Sequence, residues 1–284
     1  MRKLHLRKRK KKDIQKTVTE LIELCENAIS RLKIHAEPML VGSVAKDTYL
    51  KNPDIDIFIL FPLDTKRETL EQYGLKIGEH VIPKPVKKYA EHPYTSGKFH
   101  GYEVDIVPCY RIKKSSELKS AVDRTPLHTE YVINNLAEKQ KNEVRLLKQF
   151  LKGIGIYGAE AKVEGFSGYL CELLIIHYGS FMSLVSSAKN WKFNHRITLN
   201  NNHKKAFPKA PLVVIDPVDS ERNVASALTA QNFAMFIHAC AEYEKNPSEY
   251  FFFPLPAKPF SKRRIHQMFE RRGTEIICVM IDKT

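Results

Sequence analysis

The stretch VGSVAKDTYLKNPDIDIFILFP, Val41 to Pro62, sets the reading of everything around it. Its apolar end predicts a largely buried strand over 54–61, with Asp54 and Asp56 at the mouth. A desolvated carboxylate without a partner is costly. Residues two apart on a strand face the same side, so these acids share one face while Ile55 and Ile57 point into the core. They also repel each other, which calls for a positive group between them. A second alternating stretch, GYEVDIVPCY (Gly101 to Tyr110), predicts another strand, with Glu103 and Asp105 on the face opposite Val104 and Ile106. If the two strands are neighbours, Asp105 joins Asp54 and Asp56. Hard divalent cations prefer such oxygen ligands, and Mg²⁺ takes a few carboxylates together with substrate phosphate oxygens. The missing charge is therefore read as a pair of Mg²⁺ ions. Gly42–Ser43, between a short strand (Pro38–Val41) and a short helix, can offer backbone N–H groups and a hydroxyl to a phosphate. An Asp-x-Asp pair alone is common on solvated loops; its combination with this turn and a later third carboxylate carries the signal.

Composition narrows the partners. The 284 residues are 43% hydrophobic and 27% charged, enough for a substantial core. Lys and Arg number 46 against 32 Asp and Glu, a formal net charge of +14, and eight of the positive charges precede Asp13. The body remains basic without this arm, residues 1–12, which favours a polyanionic partner. By itself such an arm is a solvated tail that can still touch phosphates. No stretch is apolar enough to cross a bilayer, and none at the N-terminus looks like a signal peptide. Cys25, Cys109, Cys171, Cys240 and Cys278 form no CxxC pair and are expected to be reduced, mostly buried thiols of a cytoplasmic protein.

Periodicity predicts helices over 13–32, 66–75, 140–152, 168–188, 224–244 and 261–272. Extended segments are expected at 80–89 and at LVVID (Leu212–Asp216), a loop over 200–211, and a closing strand at TEIICVMI. The fold class is α+β, divided into a mixed-sheet domain (13–138), a helical neck (139–200) and a small α/β body (201–284).

Gly-Ser, a spacer, an Asp-x-Asp and a later aspartate on a strand resemble the DNA polymerase β nucleotidyltransferase superfamily. AEHPY, VDIVPCY, SAVDRTP, NEVRLLKQFLKGIGIYGAE, GFSGYLCELLI, YGSF and VIDPVDSERNVA extend the likeness, from about residue 30 onward, to archaeal-type (class I) CCA-adding tRNA nucleotidyltransferases. The resemblance implies a polymerase-β-like head and template-independent addition of C and A to the 3′ end of tRNA or a tRNA-like minihelix. The substrates would be CTP and ATP, and pyrophosphate would leave.

It further implies that Asp54, Asp56 and Asp105 hold two Mg²⁺ ions, with Asp105 nearest the attacking hydroxyl. Gly42 and Ser43 would contact the triphosphate; Lys46, Thr125, His128, Lys148 and Tyr157 would lie around the triphosphate and sugar. His92 is either a further phosphate neighbour or a structural turn residue. Arg222 would read the Watson–Crick edges of cytosine and adenine. The family often has Glu where this chain has Asp54, and commonly Arg where it has Lys46, which can neutralise a phosphate but offers no planar fork. Family members also continue past Thr284 into a tail domain that grips the tRNA elbow. The expectation here is a short natural form that lacks the tail and recognises acceptor stems by A-form shape, phosphates and 2′-hydroxyls. Adding only A or only C, poly(A) polymerase-like or oligoadenylate synthase-like tailing, and a non-catalytic RNA-binding role stay open at this point, as does the oligomeric state, a dimer included.

Overall fold

The computed structural model describes residues 8–199, 205–255, 260–273 and 275. Five strands form one mixed sheet in the order β1-β2-β5-β4-β3. They are β1 (Glu37–Val41), β2 (Ile55–Phe61), β3 (Val86–Tyr89), β4 (Pro93–Phe99) and β5 (Tyr102–Tyr110). Only β2 and β5 run parallel. Period-two alternation places Ile55, Ile57, Ile59, Phe61, Val104 and Ile106 on one face, all fully or almost fully buried. That face packs against α1 (Lys8–Leu32) and α3 (Arg67–Val81). Helix α3 lies close on the sheet through two glycines. A Cβ on Gly74 would stand 2.5 Å from Pro108, and one on Gly78 would stand 2.3 Å from Thr95.

The second half is a helical body around a small sheet, ordered β6-β7-β8. Its helices are α4 (Arg124–Asn135), α5 (Gln140–Gly153), α6 (Gly168–Tyr178), α7 (Phe181–Ala188), α8 (Ala230–Lys245) and α9 (Lys262–Arg272). Its strands are β6 (His195–Ile197), β7 (Leu212–Asp216) and β8 (Asp219–Asn223), and a four-residue helix α2 (Gly42–Ala45) belongs to the first half. Leu147, Phe150, Phe166, Leu170, Leu174, Leu184 and Phe236 centre the core. Helix α6 is buried through Leu170–Ile175, at the centre of this core.

The α+β class with its mixed sheet agrees with the sequence reading; several elements do not. Helix α1 begins at Lys8, so part of the basic arm continues the helix. Lysine is a good helix former, and Lys11 is held by Asp47 at 2.5 Å while Lys10 meets Asn52. Helix α3 runs to Val81, which takes His80 out of the expected extended segment. Strand β4 and helix α4 were not anticipated. The expected helix over 168–188 is two helices bent by 91°. Gly179 sits between them at φ +82°, a backbone conformation that ends a helix without steric cost only for glycine. Residues 219–223 form β8, so the next helix starts at Ala230 and not at 224. The expected strand at TEIICVMI lies outside the described residues, apart from Glu275. Among the described residues no single helix is long and apolar enough to cross a membrane. Cys25, Cys109, Cys171 and Cys240 are buried thiols.

Candidate active site

The parallel register of β2 and β5 sets Asp56 directly opposite Asp105. Both point away from α1 and α3, on the face that carries Phe58, Leu60 and Cys109. Asp54 is exposed one residue ahead of β2 and extends the same row. On the other side of Asp56 lies Val41, its antiparallel partner, followed at once by Gly42 and Ser43. Gly42 has φ +71°, and a Cβ there would stand 2.3 Å from Asp56 Oδ2. Glycine is thus required both by the turn and by the close approach of the backbone to the carboxylate. Asp56 is enclosed by Asp105 on one flank and by the strand-to-helix turn on the other.

The electrostatics follow from this crowding. Burial pushes the Asp56 carboxyl up to about 7, with further contributions from Asp105 and Asp54; Lys46 opposes the shift. Burial also raises Asp54, aided by Asp105 and Glu103. Among the described residues, no three acidic, histidine or cysteine side chains are gathered closely enough to enclose a metal by themselves. The expected tight three-carboxylate cluster is therefore corrected to a register pair, Asp56 and Asp105, with Asp54 looser at the rim. Repulsion among like charges opposes anything tighter. The donor set still fits Mg²⁺, which is bound through one or two carboxylates plus water and phosphate oxygens, not by an all-protein cage.

Behind this row stands a buried ionic knot. Glu172 on α6 is fully buried. It accepts from Lys46 Nζ at 2.5 Å, from Thr48 Oγ1 at 2.5 Å and from Lys148 Nζ at 3.1 Å. Burial would raise its pKa, but Lys148, Lys46 and these hydrogen bonds outweigh it and hold the carboxyl below its usual range. Arg145 reaches across from α5 to Asp47 Oδ1 at 2.6 Å and to the Tyr49 carbonyl at 3.2 Å. Loop 46–49 is thus tied to α5 and α6. Lys46 and Lys148, expected to reach a triphosphate, have their ammonium groups committed to Glu172. Tyr157 converges on the same place, because a Cβ on Gly168 would meet its hydroxyl at 3.3 Å and Lys148 Nζ at 3.6 Å.

A second knot surrounds Asp216, the last residue of β7, also fully buried. Its Oδ2 accepts from Arg222 Nη1 at 2.9 Å and from His128 Nε2 at 2.8 Å. Its Oδ1 accepts from the Tyr169 hydroxyl and from the Val218 backbone N–H, both at 3.1 Å. His128 stacks on Tyr169 with ring centres 4.0 Å apart, and Lys46 Nζ lies 5.8 Å from the centre of the Tyr169 ring. The two knots are therefore neighbours. Burial lowers the His128 pKa, against the hydrogen bond and the charge of Asp216, which its Nε2 faces. Arg222 lies on β8, and its head lines a cavity of about 790 Å³ shared with Arg124, Asp219, Asn223, Phe207 and Lys209.

Thr125 is in the first turn of α4, half-buried, where its carbonyl accepts from Thr129 Oγ1 at 2.9 Å. His92 stands apart. Its Nδ1 is 3.3 Å from Glu71 Oε1 and its ring centre 6.4 Å from that of Tyr110. Tyr110 is five residues beyond Asp105 on β5, about 17 Å along a strand. His92 is a buried side chain at the turn into β4, not a neighbour of the acidic row. The structure thus brings together Gly42, Ser43, Lys46, Asp54, Asp56 and Asp105 from the sheet, and Lys46, His128, Lys148, Tyr157 and Arg222 around α6.

The residues that organise this assembly, Glu172, Asp216, Tyr169 and Thr48, were not singled out from the sequence. Two of them carried a readable signal. Glu172 is the lone charge in GYLCELLII, and Asp216 ends the apolar run LVVI; a charge within such a run is buried only when paired.

Comparison with known proteins bears on family and fold. Residues 22–128 match the nucleotidyltransferase domain, and residues 142–253 match the second domain of tRNA nucleotidyltransferases. The CCA-adding enzyme of Halobacterium salinarum is 43% identical over 265 residues, 93% of this chain and 58% of that protein. Those of Archaeoglobus fulgidus and Methanocaldococcus jannaschii are 44% and 43% identical, over 57% and 61% of their lengths and 88% and 92% of this chain. The chain thus spans about three fifths of the length of these relatives. Among solved structures, Cid1, described as an RNA terminal uridylyl transferase, superposes with TM-score 0.68 at 13% identity, over 90% of this chain and 96% of Cid1. CdnC of E. coli MS115-1 with ATP gives 0.64 at 19% identity, over 88% and 91%. At such identities the likeness is one of fold.

Proposed function

For a chain that belongs to the family of the archaeal CCA-adding enzymes, we propose template-independent transfer of C and A from CTP and ATP to the 3′-hydroxyl of tRNA or a tRNA-like acceptor stem. The observation that carries this reading is the register pair Asp56–Asp105, flanked by the Gly42–Ser43 turn.

Asp54, Asp56 and Asp105 would hold the Mg²⁺ ions. When bound, such ions activate the attacking hydroxyl and neutralise the departing pyrophosphate. The chain's own residues do the rest. The Gly42–Ser43 turn runs so close to Asp56 that a Cβ on Gly42 would not fit, which sets its backbone beside the acidic row, where it can receive a phosphate. Lys46 and Lys148 supply the cationic floor, held in place by Glu172. His128 and Tyr169 form a stacked wall between that floor and Arg222. Arg222, on the rim of the large cavity, offers a planar fork to a base edge. Cytosine and adenine present one donor–acceptor order to such a fork, uracil and guanine another. The basic composition suits RNA phosphates as the second substrate.

The reading is tested by incubating the protein with labelled CTP and ATP, singly and together, on a tRNA and on a minihelix that both lack the terminal CCA. Addition of two C and one A, followed by arrest, supports it, and comparable use of the minihelix supports recognition of the stem alone. Homopolymer tails of A or of C would replace it with a tailing enzyme. No incorporation, with RNA still bound, would leave an RNA-binding protein.

A further inference from the structure

We infer that Asp216 is a positioning residue that orients Arg222 toward the incoming base, so that discrimination of C and A from U depends on the Asp216 charge. The inference rests on the reading of Arg222 as the base-contacting residue.

Three features of the structure carry it. The carboxylate itself is immobilised: four donors from four segments, His128 on α4, Tyr169 on α6, the Val218 N–H and Arg222 on β8, fill both of its oxygens. The site is fully buried, whereas the Arg222 side chain retains 33% of its exposure and faces the 790 Å³ cavity. One edge of the guanidinium is thus anchored in the protein while the head reaches the space a base would enter. The charges also match in a particular way. Arg222 is the permanently charged partner of Asp216, at 2.9 Å, and His128 adds a hydrogen bond to the same oxygen. An arginine without that anchor would sample several rotamers at the rim. Discrimination between base edges needs the planar fork in one orientation.

Asp216→Asn isolates the effect because of what each partner can do next. The Asn amide oxygen can keep the bonds from Tyr169 and Val218. Its NH₂ then occupies the place of Oδ2 and faces His128 and Arg222. A neutral imidazole can shift its proton to Nδ1 and accept from that NH₂. Arg222 has only donors, so it meets donor with donor and is released. The surrounding structure is kept while the fork loses its anchor.

The experiment compares incorporation of CTP, ATP, UTP and GTP on one RNA by the parent, Asp216→Asn and Arg222→Ala, with melting curves for each. The ratio of CTP to UTP use is expected to fall about tenfold in Asp216→Asn, approaching that of Arg222→Ala, the scale of one good bidentate base contact. A selectivity ratio equal to the parent's in Asp216→Asn, with the Arg222→Ala ratio lowered, overturns the positioning role even if overall rates drop. An unchanged ratio in Arg222→Ala instead removes the base-reading premise, and absence of transfer by the parent removes the proposed function. Should Asp216→Asn fail to fold, Asp216→Glu keeps the charge but displaces it; a ratio equal to the parent's there also overturns the inference.

Discussion

At the strand ends, Asp54, Asp56 and Asp105 crowd like charges onto one face; around α6, Glu172 and Asp216 each gather opposite charges and neutral donors. The carboxyls of Asp54 and Asp56 are pushed up in pKa, and those of Glu172 and Asp216 are held down. For Asp216 burial works against the lowering, and His128, Val218 and Arg222 prevail. The second region is satisfied by the chain itself and fastens the two halves together. In the first region burial and like charges disfavour the charged form, the form that a divalent cation would stabilise. The contrast separates what builds the site from what the site is for.

Removing the centre of a satisfied knot should have the largest effect on stability. Glu172→Ala strands two buried ammonium groups, Lys46 and Lys148, and is expected to cost about 3–5 kcal/mol in a denaturant titration. A cost under 1 kcal/mol would mean that the knot is looser than its geometry. Gly42→Ala acts at the other region. The new Cβ collides with Asp56 and the backbone is at φ +71°, so about 1–3 kcal/mol of strain is expected. Transfer activity should fall further than the modest drop in melting temperature explains.

The acidic row also predicts a pH dependence of definite sign. The folded state holds a proton on Asp56 up to about pH 7, whereas an ordinary aspartate loses it near pH 4. Without a divalent cation, the contribution of this group to stability is greatest below about pH 4 and is lost as pH rises to 7. A cation must displace that proton, so stabilisation by added Mg²⁺, read as a shift in melting temperature, should grow from pH 5 to about 7 and then level off. A flat response would place the bound cation elsewhere. The smallest effect is expected at Lys245–Glu242, an exposed pair at the end of α8: Lys245→Ala should leave melting temperature and transfer unchanged within error.

Legibility in the sequence follows the same division. The acidic row was readable because period-two alternation fixes which residues share a face, and the register of β2 with β5 needed only that the two strands be neighbours. Strand β4 was missed since PYTSGKF is written in turn residues. Its Thr95 is buried because α3 lies against the sheet at Gly78, which no local pattern reveals. Helix α4 was obscured by Pro126, tolerated in a first turn where the missing N–H has no intrahelical partner. The knots were the least legible. Lys46, Lys148 and Glu172 lie more than twenty residues apart from one another, and nothing local announces which charge will find which. Hence the sequence leaves Lys46 and Lys148 as phosphate neighbours, and gives no sign of the strand β8 that carries Arg222.

Asp105 lies on the strand beside Asp56 and belongs to neither knot, so its replacement is the most direct test of the acidic row as the reacting centre. Nucleotide incorporation and RNA affinity should be measured side by side for the parent and Asp105→Ala on an acceptor-stem RNA lacking CCA. Incorporation falling by about 10³-fold or more, with RNA affinity unchanged, is the predicted result. Incorporation at the parental rate would contradict the account.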